Sequence, residues 1–140
     1  MIYVDTSVVI ALLTVEPSTQ AVKTWYAGLD ETPVCSDWLL PEASSAISIK
    51  VRTGQISEAA AKSVRKEFAS LTDGGVRIVP VSRNAFVKAM EMAKIHSHNL
   101  RAGDSLHLAV ALELGAGHMA TLDTTLAENA KRHGIKIIKF

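Results

Sequence analysis

The chain has 140 residues, of which 48% are hydrophobic and 21% charged, a composition that fits one compact domain spanning residues 1–140 with a buried core and does not fit a disordered segment. Fifteen Lys and Arg against 14 Asp and Glu leave a formal charge of +1, so the molecule lacks the basic excess of a general nucleic-acid binder and any polyanion site must be local. The single cysteine, Cys35, excludes an intrachain disulfide and a thiolate cluster; with no basic start followed by a long apolar run, the expected location is cytoplasmic, with no membrane partner.

Ile2-Tyr3-Val4 reads as a short apolar strand ending at Asp5-Thr6-Ser7, from which a helix runs through Val8 to Leu13. A second helix spans about 17–27 and stops at Gly28. A brief strand at 33–35 leads into a helix over about 38–51, where Pro41 is tolerable only in the first turn. Ser57 and Glu58 open a helix carrying Ala60, Val64, Phe68 and Leu71, and Asp73-Gly74-Gly75 reads as a turn. A strand over 76–81 precedes a helix over 84–96 whose expected apolar stripe is Phe86, Ala89, Met90 and Ala93. Asp104 caps or opens the next helix, which carries Leu106, Ala109, Val110 and Leu114 and ends at Gly115. A strand at 118–122, a helix at 125–132 and a strand at 135–138 complete the chain. Short apolar strands alternating with amphipathic helices predict a three-layer α/β domain with a mainly parallel sheet.

In such a sheet, functional loops lie beyond the carboxyl ends of the strands. Asp5 and Asp123 each follow a strand, Asp104 lies at a helix start, and Glu42 sits among Leu39, Leu40, Ala43 and Ile47, where a carboxylate needs a reason. Taken singly, each acid is adequately explained as a cap, a surface charge or an ion-pair partner. Taken together they form a hard oxygen donor set suited to Mg2+ or Mn2+, whereas the five histidines lack the HExxH pairing of a zinc hydrolase. Such a set would serve metal-assisted phosphodiester hydrolysis with one ion or two.

Four segments, Ile2-Tyr3-Val4-Asp5-Thr6-Ser7, Pro41-Glu42-Ala43, Leu100-Arg101-Ala102-Gly103-Asp104-Ser105-Leu106-His107-Leu108-Ala109 and Ala120-Thr121-Leu122-Asp123, resemble the successive motifs of PIN-domain proteins. In order and context they resemble the VapC-like toxin ribonucleases of type II toxin-antitoxin operons. The resemblance covers essentially the whole chain. It implies a PIN-like fold with a five-stranded sheet flanked by helices, Mg2+ dependence with Mn2+ as a substitute, endoribonuclease activity on RNA, a homodimer or hetero-oligomer, and inhibition by a cognate VapB-like antitoxin. Asp5, Glu42, Asp104 and Asp123 match the family's acids one by one; Asp5 and Asp104 would ligate metal, with Glu42 and Asp123 acting directly or through water.

The neighbouring residues have two readings each. Thr6 and Ser7 either support the metal site or open the helix, and Thr121 resembles a polar support beside Asp123. His107 shares a helical face with Asp104 and is either a structural histidine or an acid near the site. Arg101 would contact phosphate or pair with a site carboxylate, and Lys50 and Arg52 are further substrate contacts or solvated charges. Thr124 and Thr125 stand where relatives often carry a basic residue, which places more of the substrate grip on Arg101. Val8, Leu12, Trp25 and Trp38 are apolar contacts for an antitoxin tail, or core. The competing functions are a non-catalytic metal- and protein-binding module and a DNA-directed nuclease; a phosphoacceptor layout and a glycine-rich nucleotide cradle are absent from the sequence.

Overall fold

A computed structural model describes residues 1–140. Five parallel strands, β1 (Ile2–Val4), β2 (Val34–Ser36), β3 (Arg77–Val79), β4 (His118–Ala120) and β5 (Lys136–Ile137), form one sheet in the order β3-β2-β1-β4-β5. Tyr3 and Val4 are buried, as central parallel strands require when helices cover both faces. The helices fall into two packing groups: α1 (Thr6–Leu13), α2 (Thr19–Ala27), α3 (Leu39–Arg52) and α4 (Glu58–Ser70) in one, and α5 (Arg83–Ala93), α6 (Ala102–Glu113) and α7 (Thr124–Arg132) in the other. No helix is long and apolar enough to cross a membrane.

The chain builds outward from β1 through β2 to β3 and then returns to place β4 on the other side of β1. The crevice between the carboxyl ends of β1 and β4 is therefore the topological switch point, where open α/β sheets bind ligands. Tyr3 pairs with Met119 and Val4 with Ala120, a register that brings Asp5 beside Thr121 just past the sheet. The Asp5 N–H closes this end by donating to the Ala120 carbonyl at 3.1 Å.

Local chemistry explains most element boundaries. Asp5, Ser57, Ser82 and Asp123 are N-caps whose side chains each accept a backbone N–H from the first helical turn. Pro41 lies third in α3, where its missing N–H has no intrahelical acceptor to lose. The turn expected at 73–75 is a widened helical turn over Leu71–Gly75, closed by the Val76 N–H on the Leu71 carbonyl at 2.9 Å. It packs where Gly75 leaves room: a Cβ there would sit 2.6 Å from the Tyr26 hydroxyl oxygen.

Two expectations need correction. The buried stripe of α5 is Ala85, Ala89 and Met92, while Phe86 and Met90 are 44% and 51% exposed. The helical period is right but its phase is shifted, because small Ala85 and Ala89 let α5 close on α6, its most extensive helix partner. Of the two roles expected of Asp104, capping does not hold, since the N-cap position of α6 is Arg101; Asp104 stands third in the helix and opens it from within the first turn.

Candidate active site

The switch-point crevice fixes the first acid. Asp5 is buried; its Oδ1 accepts from Ser7 Oγ at 2.7 Å and from the Val8 N–H at 3.3 Å, and its Oδ2 accepts from Thr121 Oγ1 at 2.9 Å. Burial pushes its carboxyl above the usual range, against the opposing pull of His107 and of these hydrogen bonds. Thr121 Oγ1 also accepts the Asp123 N–H at 3.0 Å, and Ser7 Oγ accepts the Leu122 N–H at 2.9 Å. The two hydroxyls thus stitch the loop after β4 to the start of α1. Asp123 in turn caps α7, its Oδ1 receiving the Leu126 N–H at 2.7 Å.

Glu42, in the first turn of α3, is held from below. Its Oε2 lies 2.8 Å from His107 Nε2 and also accepts from Thr6 Oγ1. Burial would raise Glu42, but the hydrogen bonds from His107 and Thr6 outweigh it and keep the carboxylate below its ordinary range. The Trp38 indole N–H is buried beside it without a well-formed hydrogen bond and contributes to the same lowering. His107 is buried, with Nδ1 2.9 Å from the Tyr3 hydroxyl and Nε2 also 3.1 Å from Thr6 Oγ1. Burial opposes a charged ring, yet the Tyr3 hydroxyl, Cys35 and Glu42 around it hold His107 well above the imidazole value. Burial also pushes Tyr3 to about 12, so the anion available to an imidazolium at neutral pH is Glu42.

Asp104 completes the cluster from the amino-terminal turn of α6. Burial and then Asp123, Asp5 and Glu42, in that order, push its carboxyl up to about 6. The three other acids are therefore close enough for their charges to disfavour its ionisation. Gly103 makes this approach possible, since a Cβ there would collide with Glu42 Oε1 and lie 3.1 Å from Trp38 Nε1.

The structure thus gathers Asp5, Glu42, Asp104 and Asp123 electrostatically, with Thr6, Ser7, Thr121 and His107 around them. It does not arrange three or more of these groups as a ready-made cage. An all-oxygen set that loads Asp104 with like charge without forming a cage suits a hard divalent cation that retains part of its water shell. The candidate substrate contacts are dispersed. Arg101 is exposed and forms no salt bridge. Lys50, whose side chain is 13% exposed, is paired with Glu16 at 2.9 Å on a groove of about 450 Å³ that also includes Thr6, Ser7 and Asp123. Arg52 is exposed and does not line that groove. Among the apolar contacts expected for a partner, Val8 is core, Trp25 packs edge-on against Phe140 at 5.3 Å, and Trp38 lies beside Gly103. Leu12 lines a surface groove with Leu13, Tyr26 and Leu71.

Sequence reasoning missed Tyr3 and Gly103 as parts of this site. Tyr3 reads as one more apolar strand residue, and only its hydroxyl, in a strand flanked by Ile and Val, signals a buried polar partner. Gly103 directly before Asp104 is a signal of close approach.

The PIN domain family matches residues 2–138. Among solved structures, the chain is similar to VapC20 from Mycobacterium tuberculosis, described as a sarcin-ricin loop cleaving toxin, at 21% identity and a TM-score of 0.73 over 92% of this chain and 95% of that one. It is similar to FitAcB from Neisseria gonorrhoeae at 20% identity and a TM-score of 0.73, covering 99% and 97% of the two chains. For PAE2754 from Pyrobaculum aerophilum the values are 18%, 0.68, 97% and 82%. At these identities the likeness is one of fold. No curated protein matches the sequence. With the family's match running over nearly its whole length, this chain belongs to the PIN-domain family.

Proposed function

We propose that the chain is a metal-dependent endoribonuclease of the VapC-like toxin kind, hydrolysing RNA phosphodiester bonds with Asp5, Glu42, Asp104 and Asp123. The observation that carries this reading is the convergence of four acids from four segments, Asp5 after β1 and Asp123 after β4 at the switch point and Glu42 Oε1 against Gly103 next to Asp104, where burial and then the charges of Asp123, Asp5 and Glu42 raise Asp104 to about 6, an arrangement with chemical sense as a cation site. Asp5 and Asp104 hold the ion, and Glu42 and Asp123 act on it directly or through water. When bound, Mg2+, or Mn2+ in its place, would neutralise phosphate charge and ease deprotonation of the attacking water.

The protein's own residues supply the rest. Ser7 and Thr121 fix both oxygens of Asp5, and Thr6 fixes one oxygen of Glu42, so little reorganisation is needed when the reaction begins. Arg101, unpaired and next to the acidic turn, binds a phosphate. Lys50 contributes only if it leaves Glu16, and Arg52 adds a more remote positive charge. The toxin reading is supported by the motif resemblance and by the fold shared with VapC20, described as a toxin. It carries with it a cytoplasmic homodimer or hetero-oligomer silenced by a cognate VapB-like antitoxin.

The test is Mg2+- and Mn2+-dependent cleavage of RNA and of DNA by purified protein, with end-group mass spectrometry. The expected products are RNA fragments with 5'-phosphate and 3'-hydroxyl ends, absent in folded Asp5→Ala and Asp104→Ala. Products with 2',3'-cyclic phosphate, or cleavage that survives chelation, contradict the mechanism; preference for DNA contradicts the substrate.

A further inference from the structure

A buried polar arm runs beneath the acid cluster. Ser36 at the end of β2, Tyr3 in β1 and His107 in α6 are all buried. The Tyr3 hydroxyl lies 3.3 Å from Ser36 Oγ and 2.9 Å from His107 Nδ1, and the Tyr3 ring meets the imidazole edge-on at 5.8 Å. Nε2 of the same imidazole is 2.8 Å from Glu42 Oε2. Phe at position 3 and Leu at position 107 would fill similar volume without the desolvation cost of polar atoms, so the arm needs an explanation beyond packing.

Its end point supplies one. His107 and Thr6 both meet a single oxygen of Glu42, with Tyr3 and then Ser36 behind the imidazole, while the other oxygen lies over Gly103, one residue before Asp104, where a Cβ would collide with it. The carboxylate is therefore gripped by one oxygen from within, and its other oxygen lies against the helical turn that carries Asp104. His107 is not arranged to exchange a proton with substrate: both ring nitrogens are engaged by protein atoms, and its side chain is 2% exposed.

We infer that Tyr3 and His107 are positioning residues that orient Glu42 toward the cation, acting through Ser36–Tyr3–His107–Glu42 and never touching substrate. This rests on the assignment of Glu42 to the metal site.

The test uses the full chain in two measurements. In the first, 15N-histidine spectra of chelator-treated protein are recorded for wild type, Tyr3→Phe and Glu42→Gln. The arm predicts that Tyr3→Phe shifts the Nδ1 resonance of His107 and Glu42→Gln shifts Nε2. In the second, Mn2+ affinity is measured by calorimetry on wild type, Tyr3→Phe, His107→Leu, His107→Gln and an Asp104→Asn control, with circular dichroism to establish folding. By analogy with the outer partners of metal ligands, Tyr3→Phe is expected to weaken Mn2+ binding about 10-fold and His107→Leu on the order of 100-fold. His107→Gln, whose amide approaches the Nε2 position, recovers part of the loss. Tyr3→Phe removes a single oxygen and keeps the test usable if His107→Leu does not fold. Ring resonances insensitive to both substitutions, or Mn2+ affinity unchanged in Tyr3→Phe and His107→Gln while Asp104→Asn loses it, overturns the arm and leaves the metal site standing. Wild type with no Mn2+ affinity overturns both, and an Asp104→Asn control no different from wild type distinguishes that failure.

Discussion

The crevice between β1 and β4 and the first turn of α6 supply acids to one cluster, yet they hold them in opposite ways. Asp5 receives two hydroxyls and a backbone N–H, and Asp123 is tied to its own helix by the Leu126 N–H. These acids are fixed by the fold whether or not a cation is present. Asp104 has no donor among the influences on its carboxyl, only burial and the charges of its neighbours. The pull of His107 toward ionisation only partly offsets them, so the ionised Asp104 stands to gain most from an added positive charge. A pre-built half and a charge-dependent half separate two kinds of sensitivity: substitutions in the crevice should act on stability, and substitutions around Asp104 on cation affinity.

The sharpest way to break this separation is Gly103→Ala. Alanine in the first turn of an exposed helix ordinarily stabilises by roughly 0.5–1 kcal/mol over glycine. Here the new methyl would displace Glu42 Oε1 from the turn that carries Asp104. We expect Mn2+ affinity to fall by about 10-fold or more, the range for disturbed ligand support, with secondary structure retained by circular dichroism. A variant that binds Mn2+ as wild type does would show that Glu42 need not approach Asp104.

Thr121→Val probes the pre-built half. It removes the donor to Asp5 Oδ2 and the acceptor of the Asp123 N–H with little change in volume. Stranding buried polar partners costs about 1–3 kcal/mol, to be read from urea denaturation in chelator. An unchanged midpoint would mean that the crevice is not fixed by this hydroxyl.

A smaller effect comes from pH in the absence of divalent cations. Asp104, raised to about 6, is destabilising once ionised, so its penalty is relieved as pH falls from about 6 toward 4. Asp5, also raised, acts in the same direction. The contribution of His107, raised well above the imidazole value, is fully present below the unfolded value of about 6.5 and lost as pH rises through the folded one. Glu42, lowered, withdraws its stabilisation only as pH falls through its folded value. Melting temperature in chelator should therefore rise by a few degrees from pH 7.5 to 5, on the scale of about 4–8 °C per kcal/mol for a small domain and somewhat less at this size. A steady fall over the same range would place the acids too far apart to repel.

The same contrast explains what could be read from the residues alone. Asp5 and Asp123 were legible because each follows an apolar strand, and strand alternation determines which loops meet. The family-like motifs carried Glu42 and Asp104, but nothing local revealed how they are held. Tyr3 and His107 are 104 residues apart, and their contact exists only after α6 packs beneath the sheet. The α5 stripe was misphased because hydrophobicity ranks Phe86 and Met90 above Ala85 and Ala89, whereas close helix packing selects the small residues. Lys50 was legible as a charge, but not as the partner of Glu16, a pairing between the last turn of α3 and the linker after α1.

The thermal stability of Asp104→Asn with and without Mn2+ tests most directly whether Asp104, burdened by the charges of Asp123, Asp5 and Glu42, forms a divalent cation site with them. In chelator the neutral side chain removes a like charge, so the variant should melt above wild type; with saturating Mn2+, wild type should gain stability by ligand linkage while the variant gains little. A variant that melts below wild type in chelator, or that gains as much from Mn2+ as wild type does, would contradict the claim.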